Sequence, residues 1–276
     1  MLFDHLVFCI WGLFEICNLE FGISFVPRTP KNVVLHESIE KLTRLQTSSI
    51  LLVRKAPQGI SQNRGRLGIF PASFNPPTRA HLALIRKARR LCHLDEVLVL
   101  LDAQAMDKKI IGTDLEDRVI MLKRLFQKDP KVSIGISNRG LFVEKMVPLR
   151  KVYPSPISFT FIVGFDTILR VLDRRYYKNL KKSLDKLFKE SHFLVGNRDE
   201  RDQETYESFF QHSDNEKYKK GISFLVLPKE FSSISSSLVR DRLREGKPVR
   251  KLVPFPVLRF IEETGLYTGR YQRGEI

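Results

Sequence analysis

The sequence predicts an α/β fold, a parallel sheet with helices on both faces, and three observations carry that prediction. From Leu67 onward, short β-branched or apolar runs alternate with longer, charged, periodic stretches. One of those stretches, Asn179 to Glu190 (NLKKSLDKLFKE), sets Leu180, Leu184, Leu187 and Phe188 on one face at helical spacing. With 276 residues and 42% hydrophobic content, the chain is long and apolar enough to close a sizeable core.

Taken in chain order, residues 1–30 form a hydrophobic N-terminal extension. Its uninterrupted apolar run, Leu6 to Phe14, is too short for a membrane span, which takes about 20 residues in a helix. Asp4 stands where a secretory signal needs basic residues, so the segment reads as a packed or peripheral helix or as a consequence of start-site choice. Residues 31–66 read as a helix and linker leading into the main domain. Within them His36 to Leu45 has a helical pattern, Ile50 to Val53 a strand pattern, and 56–66 (APQGISQNRGR) the composition of a linker. The main domain then spans 67–276. Its strands are predicted at Leu67–Phe70, Glu96–Leu101, Val132–Ser137, Ser158–Val163, Phe193–Val195 and Ile222–Leu227.

Lys and Arg outnumber Asp and Glu by 47 to 31, a formal net charge of +16. That excess favours anionic partners, and its even spread reads as a basic surface around a phosphate site, with no stable nucleic-acid partner. Cys9, Cys17 and Cys92 show no metal-binding spacing and fit a reducing, cytoplasmic setting.

Parallel sheets bind ligands at the carboxyl ends of their strands, so the connection after the first strand of the main domain is the place to look. It reads GIFPASFNPPTRAHLAL, Gly68 to Leu84, with Asn-Pro-Pro between strand and helix. The glycine-rich dinucleotide fingerprint and the P-loop are both missing. A strand–helix turn binds phosphate in another way, through backbone N–H groups and the positive end of the helix dipole. Ala72, Ser73 and Phe74 are placed to supply amides, with Thr78 near the N-cap and His81 one turn into the helix, both pointing toward the same anion. Near the C-terminus, ISSSLVRDRLREGKPVRKLVP opens a second helix at its serines, with Gly246 as a stop signal. Ser236 and Ser237 offer hydroxyls and helix-start amides, and Arg240 offers a fork of donors suited to phosphate oxygens. Two such helix starts point to a polyphosphate.

Residues 67–276 resemble the nicotinamide/nicotinic acid mononucleotide adenylyltransferases, within the nucleotidyltransferases that carry an HxGH or TxxH motif. SFNPPTRAHL matches the family's first signature, with Thr78 and His81 in the motif positions, and ISSSLVR matches its ISSTxxR signature. RKLVP and VLRFIEETGLY resemble its C-terminal tail, DRVIMLKRLF its HRxxM helix, and Gly164-Phe165-Asp166 its GAD segment. The resemblance implies a Rossmann-like fold of nucleotidyltransferase type. It also implies adenylyl transfer from ATP to a pyridine mononucleotide by direct in-line attack, giving a dinucleotide and pyrophosphate. By the same resemblance His81, Thr78 and Arg240 are catalytic. Ser73, Phe74, Lys109, Gly164, Asp166, Arg198, Ser236 and Ser237 bind the nucleotide, with Asp166 on the adenosine ribose. Mg²⁺ accompanies ATP across its phosphate oxygens, with few direct protein ligands.

The chain departs from the family pattern in four places. Ala72 and Ala80 replace small residues, often glycine, and fit only where φ stays negative. Asp117 stands where histidine is common. The only tryptophan is Trp11, so Tyr176 or Tyr177 is expected to take the stacking role on the pyridine ring. Two other readings keep part of this reasoning: a nucleotidyltransferase with another phosphorylated acceptor or a CTP donor, and a non-catalytic regulator that binds nucleotide or RNA.

Overall fold

Short apolar strands buried on both faces need helices above and below them, and the chain supplies both. The computed structural model describes residues 33–61, 64–103, 113–197, 207–208, 210–211 and 213–268. Seven strands form one sheet in the order β1-β4-β3-β2-β5-β6-β7. They are β1 (Ile50–Arg54), β2 (Arg66–Ala72), β3 (Glu96–Asp102), β4 (Val132–Ser137), β5 (Ser158–Gly164), β6 (Ser191–Asn197) and β7 (Ile222–Val226). All neighbours run parallel except β1, which pairs antiparallel with β4.

The expected parallel α/β sheet is therefore present with one antiparallel edge strand added. Residues 33–66 contribute to the same fold: β1 closes that edge, and α1 (Val33–Arg44) buries Leu35, Ile39 and Leu42 in the core. The N-terminal extension expected over 1–30 lies outside the described residues. No helix among the described residues is long and apolar enough to cross a membrane.

Period-two alternation divides the core between the two faces of the sheet. Leu98 and Leu100 of β3 pack with α4 (Phe142–Val152), α5 (Phe165–Val171) and α6 (Leu180–Glu190). Val97, Val99 and Leu101 of the same strand pack with α1, α2 (Arg79–Leu91) and α3 (Leu115–Phe126). The amphipathic reading of α6 matches its burial, since Leu184 and Leu187 are fully enclosed. Each such leucine gains about 1.5–3 kcal/mol from leaving water. A third cluster joins Met121 of α3 to the C-terminal helices α7 (Ser236–Arg244) and α8 (Phe255–Thr264). That packing carries the second serine-rich helix start over to the first strand–helix connection.

The strand order also locates a crevice. From β2 the chain goes outward through β3 to β4, and from β5 the opposite way through β6 to β7. β2 and β5 pair only from Arg66↔Ser158 to Ile69↔Phe161, whereas β2 and β3 stay paired to Ala72↔Leu101. The sheet therefore parts between β2 and β5 at its carboxyl end, the switch point at which open α/β sheets bind ligands.

Candidate active site

Two loops border that opening: 73–78 after β2, and the Gly164–Asp166 junction after β5. In the first, Thr78 is the N-cap of α2 and forms a reciprocal capping box with His81. The Thr78 backbone N–H donates to His81 Nδ1 at 2.9 Å, and the His81 N–H reaches Thr78 Oγ1 at 3.5 Å. An Nδ1 that accepts a backbone N–H carries no proton of its own, so this contact assigns the neutral imidazole's proton to Nε2. Phe74 and Phe70 hold the ring from its sides, with centroids 5.0 and 5.7 Å away. A capping motif and two aromatic rings thus fix both the tautomer and the orientation of the proposed donor.

Thr78 itself is fully buried, and its side chain is engaged inside the capping box. The expectation that it points at the anion is corrected: its hydroxyl is turned to His81, 2.8 Å from Nδ1. Ser73 is exposed, while the Phe74 side chain is buried, leaving its backbone as the part that can face a ligand. Ala72 and Ala80 avoid positive φ; the left-handed position of this loop is Phe74, at φ 45°. A bulky side chain there costs about 1–3 kcal/mol, and its burial against Phe70 and His81 offsets that strain.

The loop is held from outside by donors to its carbonyls. Arg240 Nη1 reaches the Asn75 carbonyl at 2.6 Å, and Ser236 Oγ donates to the Pro76 carbonyl at 2.8 Å. The two stretches singled out in the sequence, about 160 residues apart, thus meet directly. In α7 the capping serine is Ser235, whose side chain accepts the Leu238 N–H at 3.1 Å. That leaves Ser236 on the loop and Ser237 exposed beside Arg240 Nη2, at 3.2 Å. The helix ends before Gly246, at φ 68°.

Two further ties were not recognised as such in the sequence. Arg118, only 2% exposed, donates to the Ser73 carbonyl at 3.0 Å, and burial holds its guanidinium below the usual arginine range. The Tyr267 hydroxyl donates to Asn75 Oδ1 at 2.7 Å. The available signal for Arg118 was its position three and four residues before the buried Met121 and Leu122, on the inner face of α3. Asp117, beside it, is pushed up by burial and by the nearby Asp114.

On the β5 side, Gly164 caps α5 with open space where a side chain would stand, and Asp166 lies exposed in the first turn. The cap falls to Gly164, so Asp166 is not the N-cap residue. Tyr177 is tied to the fold: its hydroxyl donates to the Val171 carbonyl at 2.7 Å, and burial pushes it up to about 12. Tyr176 is half-buried at the end of a 3₁₀ turn. Lys109 and Arg198, both expected at the nucleotide, lie outside the described residues. Among the described residues no cluster of three or more His, Cys, Asp or Glu is placed to hold a metal ion.

The cytidylyltransferase-like family model matches residues 69–242, well over half of the chain. The chain belongs to that family. This agrees with the nucleotidyltransferase recognition drawn from its motifs. A Gemmatimonas aurantiaca relative named "Probable nicotinate-nucleotide adenylyltransferase" is 29% identical over 215 residues, covering 76% of this chain and 95% of that protein. A Schizosaccharomyces pombe relative, named for nicotinamide mononucleotide adenylyltransferase, is 27% identical over 247 residues, covering 82% of this chain and 94% of its own length. Among solved structures, the Plasmodium falciparum nicotinic acid mononucleotide adenylyltransferase complexed with NaAD superposes with a TM-score of 0.54. It is 20% identical, covering 74% of this chain and 97% of that one, and so speaks for the shared fold. That structure therefore shares the α/β architecture in which the crevice was located.

Proposed function

We propose that the chain transfers the adenylyl group of ATP to a pyridine mononucleotide, forming a dinucleotide and releasing pyrophosphate. The observation that carries the reading is the meeting of two helix starts around loop 73–78, with the His81 proton assigned to Nε2. The names of the curated relatives support the same chemistry.

In this mechanism an oxygen of the mononucleotide 5′-phosphate attacks the α-phosphorus of ATP in line. The new P–O bond forms as the bond to the β-phosphate bridging oxygen breaks, and the electron pair leaves with pyrophosphate. The attacking phosphate is already anionic, so neither a general base nor a covalent intermediate is required. Catalysis then consists of positioning and of stabilising charge on the transferring group. His81 Nε2–H donates to an α-phosphate oxygen. Ser237 and the guanidinium N–H groups of Arg240 not directed at Asn75 hold the departing β/γ end, Lys109 neutralises the same region, and Arg198 approaches the ribose or adenine. Thr78, Arg118 and Tyr267 keep the loop in register. Asp166 takes the adenosine ribose hydroxyls. Bound together with ATP, Mg²⁺ would supply positive charge that favours departure of pyrophosphate.

The test is direct. The purified protein is incubated with ATP, Mg²⁺ and nicotinamide or nicotinate mononucleotide, and pyrophosphate and dinucleotide are followed. Stoichiometric formation of both products is expected with at least one acceptor. ATP binding without product from either acceptor overturns the reading. Product with CTP as donor, or with another phosphorylated acceptor, reassigns it within the same chemistry.

A further inference from the structure

We propose that the outer face of α2 is a docking surface for single-stranded nucleic acid, gripped by its sugar–phosphate backbone. The inference stands apart from the adenylyl-transfer reading, because it uses a face of α2 that the crevice does not.

Helix geometry sets three arginines in a row. At about 100° per residue, Arg79, Arg86 and Arg90 fall within about 40° of one another, opposite the buried Ala80, Leu84, Ile85 and Ala88. All three are exposed, and they run along about 16 Å of the helix axis. The other cations of α2 are engaged: Arg89 pairs with Asp129 at 2.6 Å, and Lys87 Nζ donates to the Val226 carbonyl at 2.7 Å. The Arg79 backbone N–H donates to the Leu252 carbonyl at 2.9 Å, which brings the exposed Arg250 and Lys251 to the head of the row. Among the described residues, none of these five side chains has a hydrogen bond or an ion pair. α2 carries no acidic residue, and Glu230, in the turn packed on it, has Lys229 beside it.

The sequence suggested an even spread of charge and no stable nucleic-acid partner. The fold instead gathers five free cations in one place, which suits a reversible, salt-sensitive contact with a polyanion. ATP does not fit the row, since His81 lies about 160° round the helix from Arg79 and the row faces away from the crevice. A membrane surface fits poorly as well. An interfacial helix exposes an apolar face, whereas α2 turns its apolar face into the core and leaves only Leu91, at its end, strongly exposed.

A second observation selects the single strand. Phe255, three residues beyond Leu252, is 64% exposed at the start of α8. Single strands bind where cations follow the phosphates and an aromatic ring takes an unpaired base, whatever its identity. A duplex keeps its bases inside and has no use for such a ring.

The test titrates the full chain into a fluorescently labelled oligouridylate of about 15 nucleotides and follows anisotropy. With about five phosphates neutralised, affinity is expected to fall about 50- to 100-fold between about 50 and about 200 mM salt. Arg86→Ala/Arg90→Ala should flatten the slope of log affinity against log salt by about 1.4. Phe255→Ala should weaken binding about fivefold or more and leave that slope in place. Turnover and KM for adenylyl transfer should be unchanged in both variants, so failure of that reading is scored separately. No binding at about 50 mM salt, or binding that the arginine variant leaves unaltered, overturns the proposal. Displacement by excess ATP also overturns it, since the strand would then lie in the crevice. So does equal binding of a duplex with no effect of Phe255→Ala, and so does tighter binding to phosphatidylserine vesicles than to the oligonucleotide.

Discussion

One strand, β3, begins with a buried carboxylate and ends with a partly exposed one, and the two are treated oppositely. Glu96 and Asp102 lie an even number of residues apart, so both project to the face covered by α4. Glu96 is finished: Lys55 Nζ and the Ile60 N–H donate to Oε2 at 2.6 and 2.7 Å, while the Ser133 and Tyr153 hydroxyls donate to Oε1. The Lys55 ammonium also sits 4.3 Å from the centre of the Tyr153 ring. Gly59 packs so closely that a Cβ there would fall 2.2 Å from Glu96 Oε2. At the other end, Asp102 is paired with Lys145 alone, Oδ1 to Nζ at 3.0 Å, and part of its side chain stays exposed. The difference separates frame from site. At the amino end of the sheet four donors enclose one carboxylate, and at the carboxyl end a single ammonium faces the other.

The sharpest way to break this contrast is at the carboxyl end. His81→Ala removes the donor to the α-phosphate, and turnover is expected to fall about 10²–10³-fold. Stability should drop by only about 1 kcal/mol, since the loss to the fold is half of a capping box. ATP affinity should hold. Steady-state kinetics beside a urea unfolding curve measure both quantities, and unchanged turnover would leave His81 as a helix cap alone.

The amino end should respond in reverse. Glu96→Gln sets an amide donor inside a fully buried cluster of four converging donors, so a loss of about 1–3 kcal/mol is expected. The KM values of the molecules that remain folded should not move. A Glu96 variant that kept its unfolding midpoint but lost acceptor binding would erase the distinction between the two ends.

How far the sequence disclosed this arrangement depended on whether a residue's partner was near or far along the chain. Strand runs, the face of α6 and Thr78 at the start of α2 all follow from local spacing, and each was legible. The pairing of loop 73–78 with the serine helix was reached because two phosphate-binding patterns implied one ligand. Arg118 under Ser73, Tyr267 on Asn75, and Lys145 beside Asp102 have no local pattern, since each joins elements separated by tens of residues. The antiparallel placement of β1 was hidden for the same reason: Ile50 to Val53 reads as a strand, but nothing in it names β4 as its partner. Thr78 shows the reverse error, a residue correctly placed at the helix start whose burial only packing could reveal.

Tyr177 offers the smallest effect and a finer test of the same divide, because its sequence position suggested the pyridine ring while its hydroxyl serves the Val171 carbonyl. Its folded-state value of about 12 lies above the ordinary tyrosine value of about 10, as burial disfavours the phenolate. The neutral phenol therefore stabilises the fold fully below pH about 10, and that contribution is lost progressively as pH rises toward about 12. Tyr153 and Tyr267 are displaced in the same direction by burial, so the unaltered protein should lose stability steadily in this alkaline range. Tyr177→Phe removes one share of that loss. Thermal unfolding followed from neutral to alkaline pH should show a shallower decline for the variant, after an offset of about 1 kcal/mol at neutral pH from the missing hydrogen bond. The acceptor KM at neutral pH should not change. A raised KM with an unaltered alkaline profile would move Tyr177 from the frame to the site.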